Sequence, residues 1–177
     1  MRVTGGRHRN RILVIPRGTD VRPTTDMSRQ ALFNRLASRT TIEGASVIDL
    51  FAGSGSLGIE SLSRGAGSVT FVDSSRIACD AVEQNLTAVG EEDSVRVVQA
   101  DVFSFLQQLP GTADIILADP PYALNNLIDL INASVIALSD GGYFVLEHDA
   151  ALEFDEHPNF VVSGKYGRTK LSFFTSK

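Results

Sequence analysis

Two short segments hold the residues whose types and spacing could do chemistry. The first, Asp49-Leu50-Phe51-Ala52-Gly53-Ser54-Gly55-Ser56-Leu57-Gly58, runs out of an apolar stretch into a glycine-rich turn. The second, Asp119-Pro120-Pro121-Tyr122, closes a later apolar stretch. Glycines between a strand and a helix let the backbone approach a ligand closely, and by themselves they would serve a pyrophosphate as well as any other ligand. Asp49 argues against phosphate, because a carboxylate at the strand tip repels it and suits the cationic amino acid end of S-adenosylmethionine. The same carboxylate could also brace the loop through the glycine amides, and the two roles can coexist. Asp73 and Asp101, each just after a candidate strand, fall where a ribose diol and an adenine amine could be held, and either could instead cap the helix that follows it.

Asp119-Pro120-Pro121-Tyr122 carries more specific chemistry. An exocyclic amine on a nucleobase is a poor nucleophile whose lone pair is delocalised into the ring, so it must be oriented before it can attack a methyl sulfonium in line. Asp119 offers a carboxylate acceptor and Pro120 a carbonyl held by fixed φ angles. Tyr122 offers a flat ring for an extruded base. Whether Asp119 also takes the proton lost after transfer is left open by the residues. Paired with the upstream glycine motif, the tetrapeptide favours an amino-methyltransferase over a plain extended turn.

The elements that must position these segments follow from periodicity. Continuous apolar runs at 46–51, 68–72, 95–99, 114–118 and 142–147 read as strands buried on both faces, with helices at about 56–64, 75–89, 102–109 and 124–138 between them. This alternation predicts a doubly wound, Rossmann-like α/β fold with a mostly parallel sheet of seven strands, whose ligands sit at the carboxyl ends of the strands. After Glu147 no convincing helix precedes the runs at 159–163 and 169–174, which predict an antiparallel C-terminal hairpin around Gly164-Lys165-Tyr166-Gly167. Before residue 40, segments 2–4 and 11–15 predict a small hairpin around Gly5-Gly6. A helix starting near Asp26 should carry Ala31, Leu32 and Leu36 inward. We therefore divide the chain into a basic extension, 1–40, and a catalytic domain, 41–177.

The bulk properties narrow the class. At 177 residues the chain is the size of one globular domain. It lacks a signal-peptide pattern and an apolar run long enough to span a bilayer, so a cytoplasmic protein with no membrane association is expected. Cys79, the single cysteine, rules out a disulfide within the chain and a cysteine-based metal cluster, and it reads as a small buried side chain. No metal site is expected. The net charge of -5 hides an asymmetry, since residues 1–39 hold nine arginines against Asp20 and Asp26. Such a stretch is built to meet an anion such as a nucleic-acid backbone, or else is a solvated basic face.

With these motifs in place the sequence resembles the class I methyltransferases that carry Asp/Asn-Pro-Pro-Tyr/Phe. Within them it is similar to the bacterial 16S ribosomal RNA guanine-N2 methyltransferases. The resemblance rests on Gly5-Gly6 with Arg9, Arg11 and Leu13, and on Arg22-Pro23-Thr24-Thr25-Asp26 with Arg29 and Ala31-Leu32-Phe33-Asn34. It continues through 49–58, 119–122 and Tyr166-Gly167-x-Thr169. Asn10 and Gln30 depart from it, standing where the family often has glycine and glutamate. The resemblance implies N2 methylation of one guanine, position 966 of the RNA, within the small ribosomal subunit or an assembly intermediate; a monomer is expected because the pocket needs no second subunit. It assigns the cofactor, S-adenosylmethionine, to Thr25, Asp49, Phe51, Ala52, Gly53, Ser54, Gly55, Asp73, Ser74, Asp101, Val102 and Asp119. Catalysis falls to Asp119, Pro120, Pro121 and Tyr122, and RNA contact to Arg7, Arg9, Arg11 and Arg22.

Four other readings compete. A DNA adenine-N6 methyltransferase uses the same tetrapeptide but usually needs a recognition domain to read a groove. A protein glutamine methyltransferase would resemble Asn-Pro-Pro-Tyr. A nicotinamide dehydrogenase is disfavoured by Asp49 and by histidines limited to His8, His148 and His157, of which only His148 could reach the pocket. A non-enzymatic RNA-binding module leaves Asp119-Pro120-Pro121-Tyr122 unexplained.

Overall fold

The computed structural model describes residues 1–15, 26–109 and 111–176. Helix α1 (Asp26–Ala37) leads into β1 (Ser46–Leu50), α2 (Ser56–Ser63), β2 (Ser68–Asp73), α3 (Arg76–Val89), β3 (Val95–Gln99), α4 (Val102–Leu106), β4 (Ala113–Ala118) and α5 (Leu127–Ala137). Then β5 (Leu138–Asp149), β6 (Phe160–Tyr166) and β7 (Thr169–Thr175) follow with no helix between Asp149 and Phe160. The seven strands form one sheet in the order β3-β2-β1-β4-β5-β7-β6. The first five run parallel, while β7 is antiparallel to both its neighbours. The predicted doubly wound sheet and C-terminal hairpin are thus present, but the hairpin turns at Gly167-Arg168 rather than over 164–167, because Gly164, Lys165 and Tyr166 continue β6 and pair with Leu171, Lys170 and Thr169.

Period-2 alternation splits the strands between two cores. Val47, Phe71, Ile115, Leu117, Val145 and Phe173 face α2 and α3, whereas Ile48, Val72, Ile116, Ala118, Leu146 and Phe174 face α4 and α5. Central strands therefore need apolar residues at every position, which is why their runs are continuous. Because the chain winds from β1 outward to β3 and then returns to β4 on the other side of β1, strand order reverses between β1 and β4. That is where a doubly wound sheet opens a crevice at its carboxyl edge.

Several expectations shift at their edges. Helix α4 stops at Leu106 and α5 starts at Leu127, so both are shorter than the predicted 102–109 and 124–138. At α4 the last polar turn, Gln107 and Gln108, adds no buried face. Strand β5 begins at Leu138, before the expected Gly142, because the chain pairs Leu138 with Ala113 and takes up the extra residues in a register shift at left-handed Gly141. The leader turns over a wider loop than Gly5-Gly6. Arg2 bridges Ile12, the backbone amide of Val3 donates to Arg11, and left-handed Asn10 helps close the loop. In α1 the buried positions are Ser28, Arg29, Leu32, Phe33 and Leu36, while Ala31 is only half-buried. Val3, Leu13, Leu32, Phe33 and Leu36 pack in the same core as α2 and α3. Cys79 is buried on α3, as expected.

Candidate active site

The turn after β1 is built from left-handed residues. Phe51, Gly53 and Gly55 have φ of 56°, 55° and 76°. Glycine tolerates this region, but Phe51 adopts it at a steric cost that the surrounding packing must hold. The turn is drawn tight by the Gly55 amide, which donates to the Ala52 carbonyl at 2.7 Å, and is tied to β2 by the Ala52 amide on the Val72 carbonyl. Gly58, in the first turn of α2, lies so near Phe71 that a Cβ would sit 2.2 Å from its ring. The third glycine therefore sets how closely α2 approaches the sheet.

Two carboxylates take the amides of this turn. Asp49 Oδ2 accepts from the Gly58 amide at 2.8 Å, and Asp73 Oδ2 accepts from the Gly53 amide at 2.9 Å. Asp73 Oδ1 also accepts from the Ser75 amide. Donors that could cradle a pyrophosphate are thus already occupied by acids, which disfavours a dinucleotide at this position. Asp49 is 1 % exposed. Burial drives its carboxyl well above the usual carboxylate range; the Gly58 hydrogen bond opposes this, and the charges of Asp119 and Asp73 push it further up. The Asp49 carboxyl at the end of β1 thus feels the acids that follow from β2 and β4 across the crevice. Such a site favours a cation.

The expected site residues fall in two groups. Asp49, 51–55, Asp73 and Asp119 are gathered around the switch between β1 and β4, where Leu50 pairs with Ala118 and with Val72. Pro120 is buried, while Pro121 and Tyr122 are exposed. The Leu124 amide donates to the Pro121 carbonyl and closes a turn there, and the Tyr122 hydroxyl lies 3.4 Å from the Thr169 hydroxyl. Ser74 is exposed beside Asp73. Asp101, next to buried Val102, caps α4 by accepting from the Ser104 amide at 2.9 Å. Thr25 and Arg22 lie outside the described residues. His148 is a buried core residue, paired with the Ser172 hydroxyl at 2.7 Å and packed edge-on to Phe154, and burial lowers its pKa.

The arginines divide by partner. Arg9 and Arg11 are exposed on the leader. Arg7, also exposed, pairs with Glu91 at 2.7 Å. Arg29 is fully buried, where it bonds to Asp26 and the Arg2 carbonyl and lies 3.5 Å from Glu60. Arg35 reaches the Ser163 carbonyl and the Tyr166 ring, and Arg39 lies over Phe173. Sequence reasoning missed Glu60, a buried acid that also accepts from the Thr4 amide and hydroxyl and from Arg64. A glutamate between Ile59 and Leu62 on a short apolar helix was the available signal. It also missed Asn85, described below. Among the described residues no cluster could hold a metal ion, and no helix is long and apolar enough to cross a membrane.

Comparison with known proteins agrees with this geometry. A family model described as "Conserved hypothetical protein 95" matches residues 1–175. Ribosomal RNA small subunit methyltransferase D of Escherichia coli is 37% identical over 147 residues, 83% of this chain and 71% of that protein. The Bacillus subtilis protein YlbH is 34% identical over 187 residues, covering all of both chains. Among solved structures, an Escherichia coli protein described as "Putative methyltransferase yhhF" superposes with a TM-score of 0.86 at 30% identity, over 100% of this chain and 98% of that one. A Thermus thermophilus 16S rRNA N2 G1207 methyltransferase, solved with AdoMet and guanosine, shares the fold at a TM-score of 0.73 and 22% identity, over 92% of this chain and 45% of that one. The chain belongs to the family described as Conserved hypothetical protein 95 and has the class I methyltransferase fold.

Proposed function

We propose that this protein transfers a methyl group from S-adenosylmethionine to N2 of one guanine, position 966 of 16S ribosomal RNA, in the small subunit or an assembly intermediate. The reading is carried by the three acids gathered at the strand switch, Asp49, Asp73 and Asp119, with Pro120, Pro121 and Tyr122 directly following Asp119. The named activity of the Escherichia coli relative supports it. When bound, the cofactor supplies an electrophilic methyl on a sulfonium. The turn of Phe51, Ala52, Gly53, Ser54 and Gly55 would hold its amino acid end together with Asp49 and Thr25. Asp73 and Ser74 would hold the ribose, and Asp101 and Val102 the adenine.

Asp119 and the Pro120 carbonyl accept the N–H groups of the target amine and aim its lone pair at the methyl. Tyr122, 62% exposed, stacks on the extruded base. Arg9 and Arg11, with Arg7 and Arg22, meet the RNA phosphates. The protein acts in the cytoplasm as a monomer.

The test is transfer of labelled methyl to undermethylated small ribosomal subunits, followed by digestion and identification of the labelled nucleoside. Label in N2-methylguanosine at a single site is expected. Asp119→Ala should slow transfer by about 10²–10⁴-fold with RNA affinity nearly unchanged. Label in adenine or in protein would overturn the target, and equal loss of transfer and RNA binding would overturn the role of Asp119.

A further inference from the structure

Asn85 on α3 is fully buried and spends both ends of its amide on two distant segments. Its Nδ2 donates to the Ser54 carbonyl in the glycine turn at 2.8 Å and to the Val14 carbonyl at 2.9 Å, while its Oδ1 accepts from the Val14 amide at 2.8 Å. A side-chain amide that pairs with both backbone groups of one residue mimics a strand neighbour, and here it does so for the outgoing strand of the N-terminal hairpin. The second N–H of the same group pins the carbonyl between the two left-handed glycines, Gly53 and Gly55. Val14 itself is 46% exposed; its neighbour Leu13 is buried in the core, Ser54 Oγ lies 3.6 Å from Met1 Sδ, and Asn85 adds the hydrogen bonds that join the Val14 backbone to the turn.

The remaining hairpin contacts make the tie mechanically short. Thr4 is held by Glu60, and the Arg7 amide donates to the Ser63 carbonyl. The Ser63 hydroxyl accepts from the His8 amide and donates to the Gly5 carbonyl. Glu60 and Ser63 lie on α2, which begins directly after the turn, while Arg7 and His8 also pair with Glu91 just past α3. The leader is thus braced on the helix that follows the turn and, through Asn85, on the turn itself.

We propose that Asn85 is a positioning residue: it locks the Ser54 carbonyl to Val14, so that the glycine turn takes its ligand-holding shape only when the leader is seated. This rests on the turn binding S-adenosylmethionine. A leader that carries exposed arginines and is tied to the cofactor turn makes RNA and cofactor binding reciprocal.

The experiment is calorimetric titration of S-adenosylmethionine into the full chain, paired with steady-state transfer kinetics on small subunits. Wild type, Asn85→Ala and Leu130→Ala are compared, the last removing a buried side chain from the opposite core. Asn85→Ala should weaken cofactor affinity on the order of tenfold and raise the cofactor KM more than it lowers kcat. Leu130→Ala should lose stability with cofactor affinity retained. Val14→Pro, which removes the amide at an exposed position, should reproduce the affinity loss if Asn85→Ala does not fold. Unchanged affinity in a folded Asn85→Ala or Val14→Pro variant overturns the assignment. Absence of binding by the wild type would instead overturn the cofactor reading on which it rests.

Discussion

Asp49 shows how a single residue can be placed against stability. A buried carboxyl with one hydrogen bond, facing two other acids, prefers to keep its proton. Its folded pKa lies above its unfolded value, so the folded state binds more protons than the unfolded chain. Stability is therefore greatest below the unfolded carboxylate range, falls as pH rises toward the folded pKa, and carries the whole penalty above it. Asp49→Asn removes this titration while keeping the shape. The variant should be more stable than the parent at neutral pH and should lose that descending arm, as measured by urea unfolding between about pH 4 and about pH 8. It should also bind S-adenosylmethionine more weakly. A parent-like fall in the variant would locate the titration elsewhere.

At the scale of elements, the approach of α2 to β2 is limited by Gly58 and Phe71. A methyl at Gly58 would sit 2.2 Å from Cε1, 2.7 Å from Cζ and 2.9 Å from Cδ1 of the ring, and Phe71 is fully buried with no room to retreat. Gly58→Ala should cost about 1–3 kcal/mol through overpacking. Adding Phe71→Leu opens space under the helix, so the double variant should be less destabilised than the two single losses added together. A double-mutant cycle by urea denaturation measures this, and strict additivity would show that helix and ring do not meet. Because the same helix starts at the glycine turn, Gly58→Ala should disturb cofactor binding as well.

For the whole molecule, the basic leader serves two purposes that net charge cannot separate. Arg29, Arg35 and Arg39 are engaged in ion pairs, carbonyl bonds and ring contacts that attach the leader to the core, whereas Arg9 and Arg11 face solvent. Of these five, Arg9 and Arg11 are the ones available to release counterions from RNA. Replacing Arg9 and Arg11 with alanine should flatten the slope of log affinity against log salt by about 2. Arg76→Ala, an exposed arginine of α3 paired with Asp80, should leave it unchanged. Filter-binding titrations across salt concentrations decide the point, and an unaltered slope in the double variant would remove the hairpin from the interface.

The sequence by itself determined the alternation of strands and helices, the C-terminal hairpin, and the placement of Asp49, the glycine turn and Asp119-Pro120-Pro121-Tyr122 at strand ends. Each of these is a local pattern: continuous apolar runs mark buried parallel strands, and the chemistry-bearing residues follow them within a few positions. Only the tertiary structure decided which arginines are buried, since Arg29 and Arg9 look alike until Glu60 arrives from another helix. It alone made Asp101 a helix cap, set the ends of α4, α5 and β5, and revealed Asn85, a polar residue among the apolar positions of α3 whose partners lie 71 and 31 residues away. Burial and pairing at such positions depend on contacts between segments distant in the chain, which no local spacing encodes.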